Sequence, residues 1–195
     1  YPRNGSKFSI YFELTPPYSL FKEKNYYENL TDDQERYRFL EYNKFKFDGT
    51  WYNSIFGDLV IRTHFELGFL GTYNKTVGLP PFERFFVGGD GLSGYSIDGR
   101  EIIALRGYPN GSLSSDSGDA LYNKYNIELR YPVSLNPNST IYALLFTEAG
   151  NSWSNYNNYN PFELKRSAGL GIRIFMPMFG LLGLDFAHGF DNLNN

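Results

Sequence analysis

The stretch SAGLGIRIFMPMFGLLGLDFAHG, residues 167–189, decides the fold. In its first ten residues Ala168, Leu170, Ile172, Ile174 and Met176 fall on one side of an extended chain, and Gly169, Gly171 and Arg173 on the other. Successive side chains of a strand point to opposite faces, so this period of two predicts a strand with one apolar face. PMFG interrupts the pattern and LLGLDFAHG resumes it, with Leu182, Leu184 and Phe186 opposed by Gly183, Asp185, Ala187 and Gly189. Two such strands joined by so short a turn form an antiparallel hairpin. The run IFMPMFGLLGLDFA is the most apolar in the chain, but Pro177, its glycines and Asp185 disqualify it as a membrane-spanning helix, which needs about 20 apolar residues in a row.

The same alternation recurs upstream. FSIYFEL sets Phe8, Ile10, Phe12 and Leu14 against Ser9, Tyr11 and Glu13. LVIRTHFELGFL sets Leu59, Ile61, Phe65, Leu67 and Phe69 against Arg62, His64, Glu66 and Gly68. LYNKYNIELRY sets Leu121, Tyr125, Ile127, Leu129 and Tyr131 against Lys124, Asn126, Glu128 and Arg130. RYRFLEYNKFKF and STIYALLFTEAG are strand-like by aromatic and β-branched content. The count is seven strands with no helix of useful length. Short turns, NPNS and PMFG, alternate with long polar loops, PPYSLFKEKNYYENLTDDQE and NSWSNYNNYNPFE. A transmembrane β-barrel has that asymmetry, together with aromatic girdles and strands near ten residues. A mean hydropathy of -0.42 is compatible with it, because only one face of each strand meets lipid. A large soluble β-domain is the alternative that patterning leaves open.

Composition narrows the function classes. Lys+Arg number 18 and Asp+Glu 21, a balance without the basic excess of a nucleic-acid surface. The absence of cysteine excludes a disulfide scaffold and thiolate metal sites. No charged segment followed by an apolar one opens the stretch, so an export signal is expected to have been removed or to lie upstream.

Several motifs have plain explanations. GDGLSG, residues 89–94, matches the spacing of a dinucleotide fingerprint, but YSIDGREII follows where a helix would have to begin, so glycines at a sharp bend are the better reading. SDSGD, residues 115–119, reads as a flexible loop. His64 and His188 lie on different strands, so a metal centre there would need a coincidence of folding. Three charged residues stand apart. Asp185 has only small neighbours on its face, Glu148 ends a mostly apolar strand, and Arg106 sits among turn formers in EIIALRGYPNG. Patterning leaves open whether the three meet; Arg173, across the hairpin, competes for Asp185.

LPPFERFFVGGDGLSGYSIDGREIIALRGY, residues 79–108, resembles the segment that leads to and includes the Arg-Gly loop motif of Omp85-superfamily outer-membrane proteins. LLFTEAGNSW is similar to a family strand with an acid-x-Gly ending, and residues 167–190 resemble its closing hairpin. Order and spacing of the three agree; within the superfamily the chain most resembles the BamA-type assembly branch, and LTPPYSLF with the tyrosine-rich loops resembles a Bacteroidetes-like form. The resemblance implies an all-β fold, a transmembrane antiparallel β-barrel. Residues 1–195 would supply the ninth to fifteenth of sixteen strands, with the final strand and the periplasmic POTRA domains absent from this stretch. It also implies a sixth extracellular loop, about residues 88–119, folded into the lumen.

The resemblance further implies that Leu105, Arg106, Gly107 and Tyr108 form the loop-anchor motif, that Glu148 and Asp185 are its acidic partners on the lumen wall, and that Gly88 and Gly89 shape the bend. LSGY, residues 92–95, is a degenerate rival; LRGY is preferred because only it carries the guanidinium. The family passes quickly from the glycines to the arginine, whereas Asp90 to Leu105 intervene here. The implied activity is insertion of nascent β-barrel proteins into the bacterial outer membrane, with accessory outer-membrane lipoproteins and outer-membrane lipids as partners. No cofactor, metal, nucleic acid or enzymatic step is implied. A translocase of the same superfamily serving two-partner secretion and a porin-like barrel are the alternatives.

Overall fold

The computed structural model describes residues 1–22, 26–30, 32–91 and 100–193. Its main element is a seven-stranded antiparallel sheet formed by β1 (Gly5–Leu14), β2 (Tyr42–Phe56), β3 (Leu59–Thr72), β6 (Leu121–Asn136), β7 (Ser139–Trp153), β8 (Lys165–Met176) and β9 (Gly180–Gly189), in that order. Two short strands, β4 (Phe85–Val87) and β5 (Glu101–Ile103), pair in parallel within the long connection from β3 to β6. Short turns close β2–β3, β6–β7 and β8–β9 at one end, and the long connections lie at the other.

The seven strands are those expected, five from alternation and two from aromatic and β-branched content, with boundaries that differ for physical reasons. RYRFLEYNKFKF does not begin a strand at Arg36, which instead ends the short helix Asp33–Arg36. The Asp32 carboxylate accepts from the Gln34 N–H and its carbonyl from the Arg36 N–H, and this local capping captures the segment. The strand starts at Tyr42 and runs on through DGTWYNSIF, where glycine and asparagine obscure its pattern. β6 passes through Pro132 to Asn136, because the register shifts between Pro132 and Ser134 and a bulge tolerates the missing N–H.

One face of the sheet is apolar and exposed. Leu129, Leu145, Leu170 and Phe186 form one row across four strands, with Leu145 59% and Phe186 65% exposed. The opposite face is polar. Asn126, Glu148, Ser167 and Gly189 form one row there, and Glu128, Phe146, Gly169 and Ala187 the next. We call these faces outer and inner. Leu144 and Phe146 break the expected pattern by facing inward and buried.

The described parts of the connection 73–120, residues 73–91 and 100–120, pack on the inner face. Phe85, Val87, Ile103, Leu105 and Tyr108 bury themselves against Tyr42, Leu70 and Tyr122 of the wall. Gly68 makes room, since a Cβ there would lie 2.3 Å from the Tyr122 ring and 2.9 Å from Phe85. Lys44 bridges Glu83 at 2.9 Å and Glu101 at 2.7 Å, and Lys46 reaches Glu101 at 2.7 Å, so the loop base is tied to β2 by charge as well. On the outer face the β7–β8 connection folds over the wall, with Tyr156 stacked on Phe69 and Tyr159 edge-on to Trp153.

If the outer face meets hydrocarbon, Leu145→Arg in the full-length protein costs about 2–4 kcal/mol. Lys7→Ala, on the inner face of β1, shifts stability by less than about 0.5 kcal/mol. Equilibrium denaturant unfolding in lipid vesicles checks both.

Candidate functional site: the loop tip on the inner wall

The tip of the connection is Leu105–Tyr108, and strand register explains why it finds acids. Glu128 on β6 and Glu148 on β7 occupy adjacent inner rows, and Asp185 on β9 shares a row with Gly171 and Leu144. Between the acids, β8 and β9 offer Gly169, Gly171, Gly183, Ala187 and Gly189, which leave a shallow trough.

Arg106 fills it. Its Nε and Nη2 donate to Glu148 Oε1 at 3.0 and 2.7 Å, and its backbone N–H donates to Glu148 Oε2 at 2.7 Å. Nη2 also meets Glu128 Oε1 at 2.9 Å, and Nη1 meets Asp185 Oδ2 at 3.0 Å. The guanidinium lies over the Phe146 ring, 3.5 Å from its centroid, which gives the inward-facing phenylalanine a purpose: a cation–π platform worth about 2 kcal/mol when desolvated. Phe146 fits only because β8 carries a glycine at 169, where a Cβ would lie 2.5 Å from the ring.

Burial sets the strength of the set. The side chains of Arg106, Glu148 and Glu128 are 14%, 3% and 5% exposed. Burial by itself lowers the pKa of the Arg106 guanidinium; the bonds and charges of Glu148, Asp185 and Glu128 together outweigh it and raise the value, so the group stays charged. Asn126 donates to Glu148 Oε1 at 3.1 Å, and Arg130 holds Glu128 Oε2 with two bonds. Asp185 is shared: Arg173 grips it with Nη1 and Nη2 at 2.5 and 2.6 Å. The rivalry for Asp185 thus ends with both arginines bound. Glu128, which sequence reading placed on the polar face without singling it out, is a third acid at the tip.

Gly107 and Tyr108 complete the docking. Gly107 has φ +95°, and a Cβ there would lie 2.8 Å from the Gly189 nitrogen, so the loop backbone lies directly on β9. The Tyr108 hydroxyl donates to the Arg166 carbonyl at 2.6 Å and accepts from the Asp191 N–H at 3.3 Å. Leu105 is fully buried and bridges to Gly89. Gly88 and Gly89 have φ +124° and +85°, and Cβ atoms there would strike Pro109 and Asn110, so the bend rests against the chain just beyond the tip. The Gly89–Leu105 bridge and the β4–β5 pairing bring the two ends of the intervening stretch together.

LSGY, and the end of GDGLSG, lie outside the described residues; Glu101–Ile103 form strand β5 and no helix. SDSGD is a tied turn. Asp119 accepts from Ser115 at 2.8 Å and Ser152 at 2.6 Å, and pairs through its backbone with Phe85. His64 lies between Asp48 Oδ2 at 2.6 Å and Glu66 Oε1 at 3.4 Å, a donor set of metal-site proportions that cross-strand register assembles unannounced. Lys124 sits 3.4 Å from Glu66, so the set is also an ordinary ion-pair chain along the inner wall.

Double-mutant cycles separate the partners. Arg106→Ala with Glu148→Ala should couple near the top of the range of about 0.5–3 kcal/mol, and Arg106→Ala with Asp185→Ala near its bottom, because Arg173 still holds Asp185. Equal couplings in full-length unfolding experiments would contradict the assignment of Glu148 as principal partner.

Comparison with known proteins bears on this arrangement. No curated protein matches the sequence. Among solved structures the chain is similar to the crystal structure of BamA from Haemophilus ducreyi lacking POTRA domains 1–3, with a TM-score of 0.69 and 18% identity over 98% of this chain and 36% of that one. At that identity the likeness concerns the fold, and the chain spans about a third of the length of that structure. The Omp85 superfamily domain matches residues 1–195. The polar-in, apolar-out antiparallel wall is therefore part of a barrel, and the chain belongs to the Omp85 superfamily.

Proposed function

We propose that this chain is part of the barrel of an outer-membrane assembly factor, integral to the bacterial outer membrane, that inserts nascent β-barrel proteins. The observation that carries the reading is the loop tip, held on the inner wall by Arg106 through Glu148, Glu128 and Asp185. A passive pore gains nothing from a loop fastened across four strands by both a buried apolar cluster and a buried ion network. A barrel whose shape must be controlled while its wall opens does.

The mechanism is strand addition. An open strand edge presents unpaired N–H and C=O groups that template an incoming strand, and a barrel that opens in lipid offers such an edge where nothing else satisfies those groups. The seam itself would be formed by the first and last strands of the full barrel. The role of the residues present here is to hold the loop and the back wall in one geometry while the seam works. Arg106 is suited to this because its planar fork engages several carboxylate oxygens at once, which a lysine ammonium does not match. Nascent barrel proteins are the substrates, accessory outer-membrane lipoproteins the companions, and the bilayer the medium that is perturbed.

Assembly of a radiolabelled barrel substrate by the full-length protein in proteoliposomes tests the reading. Arg106→Glu should lower the rate at least ten-fold, about 1.4 kcal/mol in barrier, with Arg106→Lys intermediate. Site-specific crosslinks at the seam should capture unfolded barrel precursors. An unimpaired Arg106→Glu protein would sink the anchoring role, and capture of a single secreted passenger would assign the translocase activity instead.

A further inference from the structure

The outer face carries a recess whose outward-pointing side chains take no part in the anchoring network, although Glu148 also borders it. Most of that face is a continuous apolar band, but near the long-loop end of β6, β7 and β8 it sinks into a recess of about 470 Å³ lined by Tyr125, Ile127, Thr147, Ala149, Arg166 and Phe190. Register accounts for the recess. Tyr125, Ala149 and Arg166 stand in one row and Ile127, Thr147 and Ala168 in the next, so small side chains on β7 and β8 lie between a tyrosine on one side and Phe190 on the other. One row below, Leu129, Leu145, Leu170 and Phe186 restore the apolar wall.

The chemistry changes with depth. The floor is apolar and continuous with the band below, whereas the upper rim carries Arg166, whose side chain is 67% exposed. Asp191 accepts from its Nε at 3.2 Å and its Nη2 at 2.8 Å, which fixes the guanidinium at the rim while occupying only one edge of a five-donor fork. The Arg166 bonds hold the Asp191 carboxyl below its usual pKa, so the pair is charged at neutral pH. His188 stands on the same face, opposite Ala168 and edge-on to Phe190 at 5.6 Å. The long connections lie at the outside end of an outer-membrane barrel, so this rim sits at the headgroup level of the outer leaflet.

We propose that the recess is a binding site for an acylated phosphosaccharide lipid of the outer leaflet. A phosphate meets Arg166, which suits planar bidentate recognition of phosphate. The sugar ring lies between the aromatic side chains of Tyr125 and Phe190, and an acyl chain runs down over Thr147 and Ala149 onto Leu145 and Leu170. A glycerophospholipid would satisfy the arginine but not the aromatic rims. The site abuts the loop anchor, since the Arg166 carbonyl accepts the Tyr108 hydroxyl. Lipid at the recess therefore borders the strand on which the loop tip rests. The inference depends on the outer face meeting lipid, and not on the assembly activity.

Native mass spectrometry of the delipidated full-length protein tests it, with three probes: an acylated glucosamine disaccharide bearing one phosphate, the same lipid without phosphate, and phosphatidylglycerol. One copy of the phosphorylated glycolipid should be retained at least ten-fold more than either other probe. Arg166→Gln should reduce its retention to that of the phosphate-free lipid, and Ala149→Phe, or Thr147→Leu should Ala149→Phe fold poorly, should abolish retention of both glycolipids. Equal retention of phosphatidylglycerol, or retention unchanged in these variants, would overturn the proposal. Substrate assembly by the native protein in glycolipid-free proteoliposomes keeps the two readings apart: a native protein that assembles substrate but retains no phosphorylated glycolipid overturns only the lipid site, and one that retains the glycolipid but assembles nothing overturns only the assembly function.

Discussion

The buried cation Arg106 is the constraint on which the inner side of this wall depends. A guanidinium placed against a largely shielded surface is costly unless every direction it faces offers an acceptor or a π-face. Here Glu148, Glu128 and Asp185 take the donors and Phe146 takes the face. The reverse holds as well: Glu148 and Glu128 are buried acids that would be destabilising without the arginines around them. Loop and wall are thus mutually required, and removing one member strands the others, a loss of about 3–5 kcal/mol for a buried pair. Much of the local sequence follows from this. The trough of glycines on β8 and β9 makes room for the guanidinium, its platform and the Gly107 backbone.

The two faces of the sheet solve opposite problems with one periodicity. Outward residues are chosen for lipid and tolerate exchange among apolar types, while inward residues form rows whose members must match across strands. Ser9, Asp48, Glu66 and Lys124 form one such row, and Lys7, Thr50, His64, Asn126 and Glu148 the next, so the polar wall runs from the edge strand to the loop anchor without a break. The apolar cluster beneath the loop anchors its base, and the ion network anchors its tip. A loop held at both points has little freedom to swing out as a unit.

Alternation of period two made five of the strands legible, because those segments are apolar on one side only; aromatic and β-branched content marked the other two, and the contrast between short turns and long loops made the barrel legible. Strand ends were less so: DGTWYNSIF hides a strand behind glycine and asparagine, and β6 runs past Tyr131, where the alternating segment ends, through a bulge after Pro132. The site was legible in part. Arg106, Glu148 and Asp185 stood out through turn chemistry, position and likeness to a family motif. Glu128 did not, because its part depends on register between β6 and β7, which no single segment encodes. Phe146 was hidden for the opposite reason, as an apolar residue in an apolar strand whose inward direction makes sense only once the arginine lies over it.

The Glu148–Arg106 interaction, including the bond from the Arg106 backbone N–H to the carboxylate, holds the loop tip on the wall. Hydrogen–deuterium exchange of residues 104–108 in the full-length protein, embedded in lipid nanodiscs, reads this directly. Strong protection in the native protein, falling at least 100-fold in Glu148→Gln while the β6 and β7 strands keep theirs, is the predicted result. A tip that exchanges as fast in the native protein as the exposed β7–β8 connection, or that keeps its protection in Glu148→Gln, would contradict it.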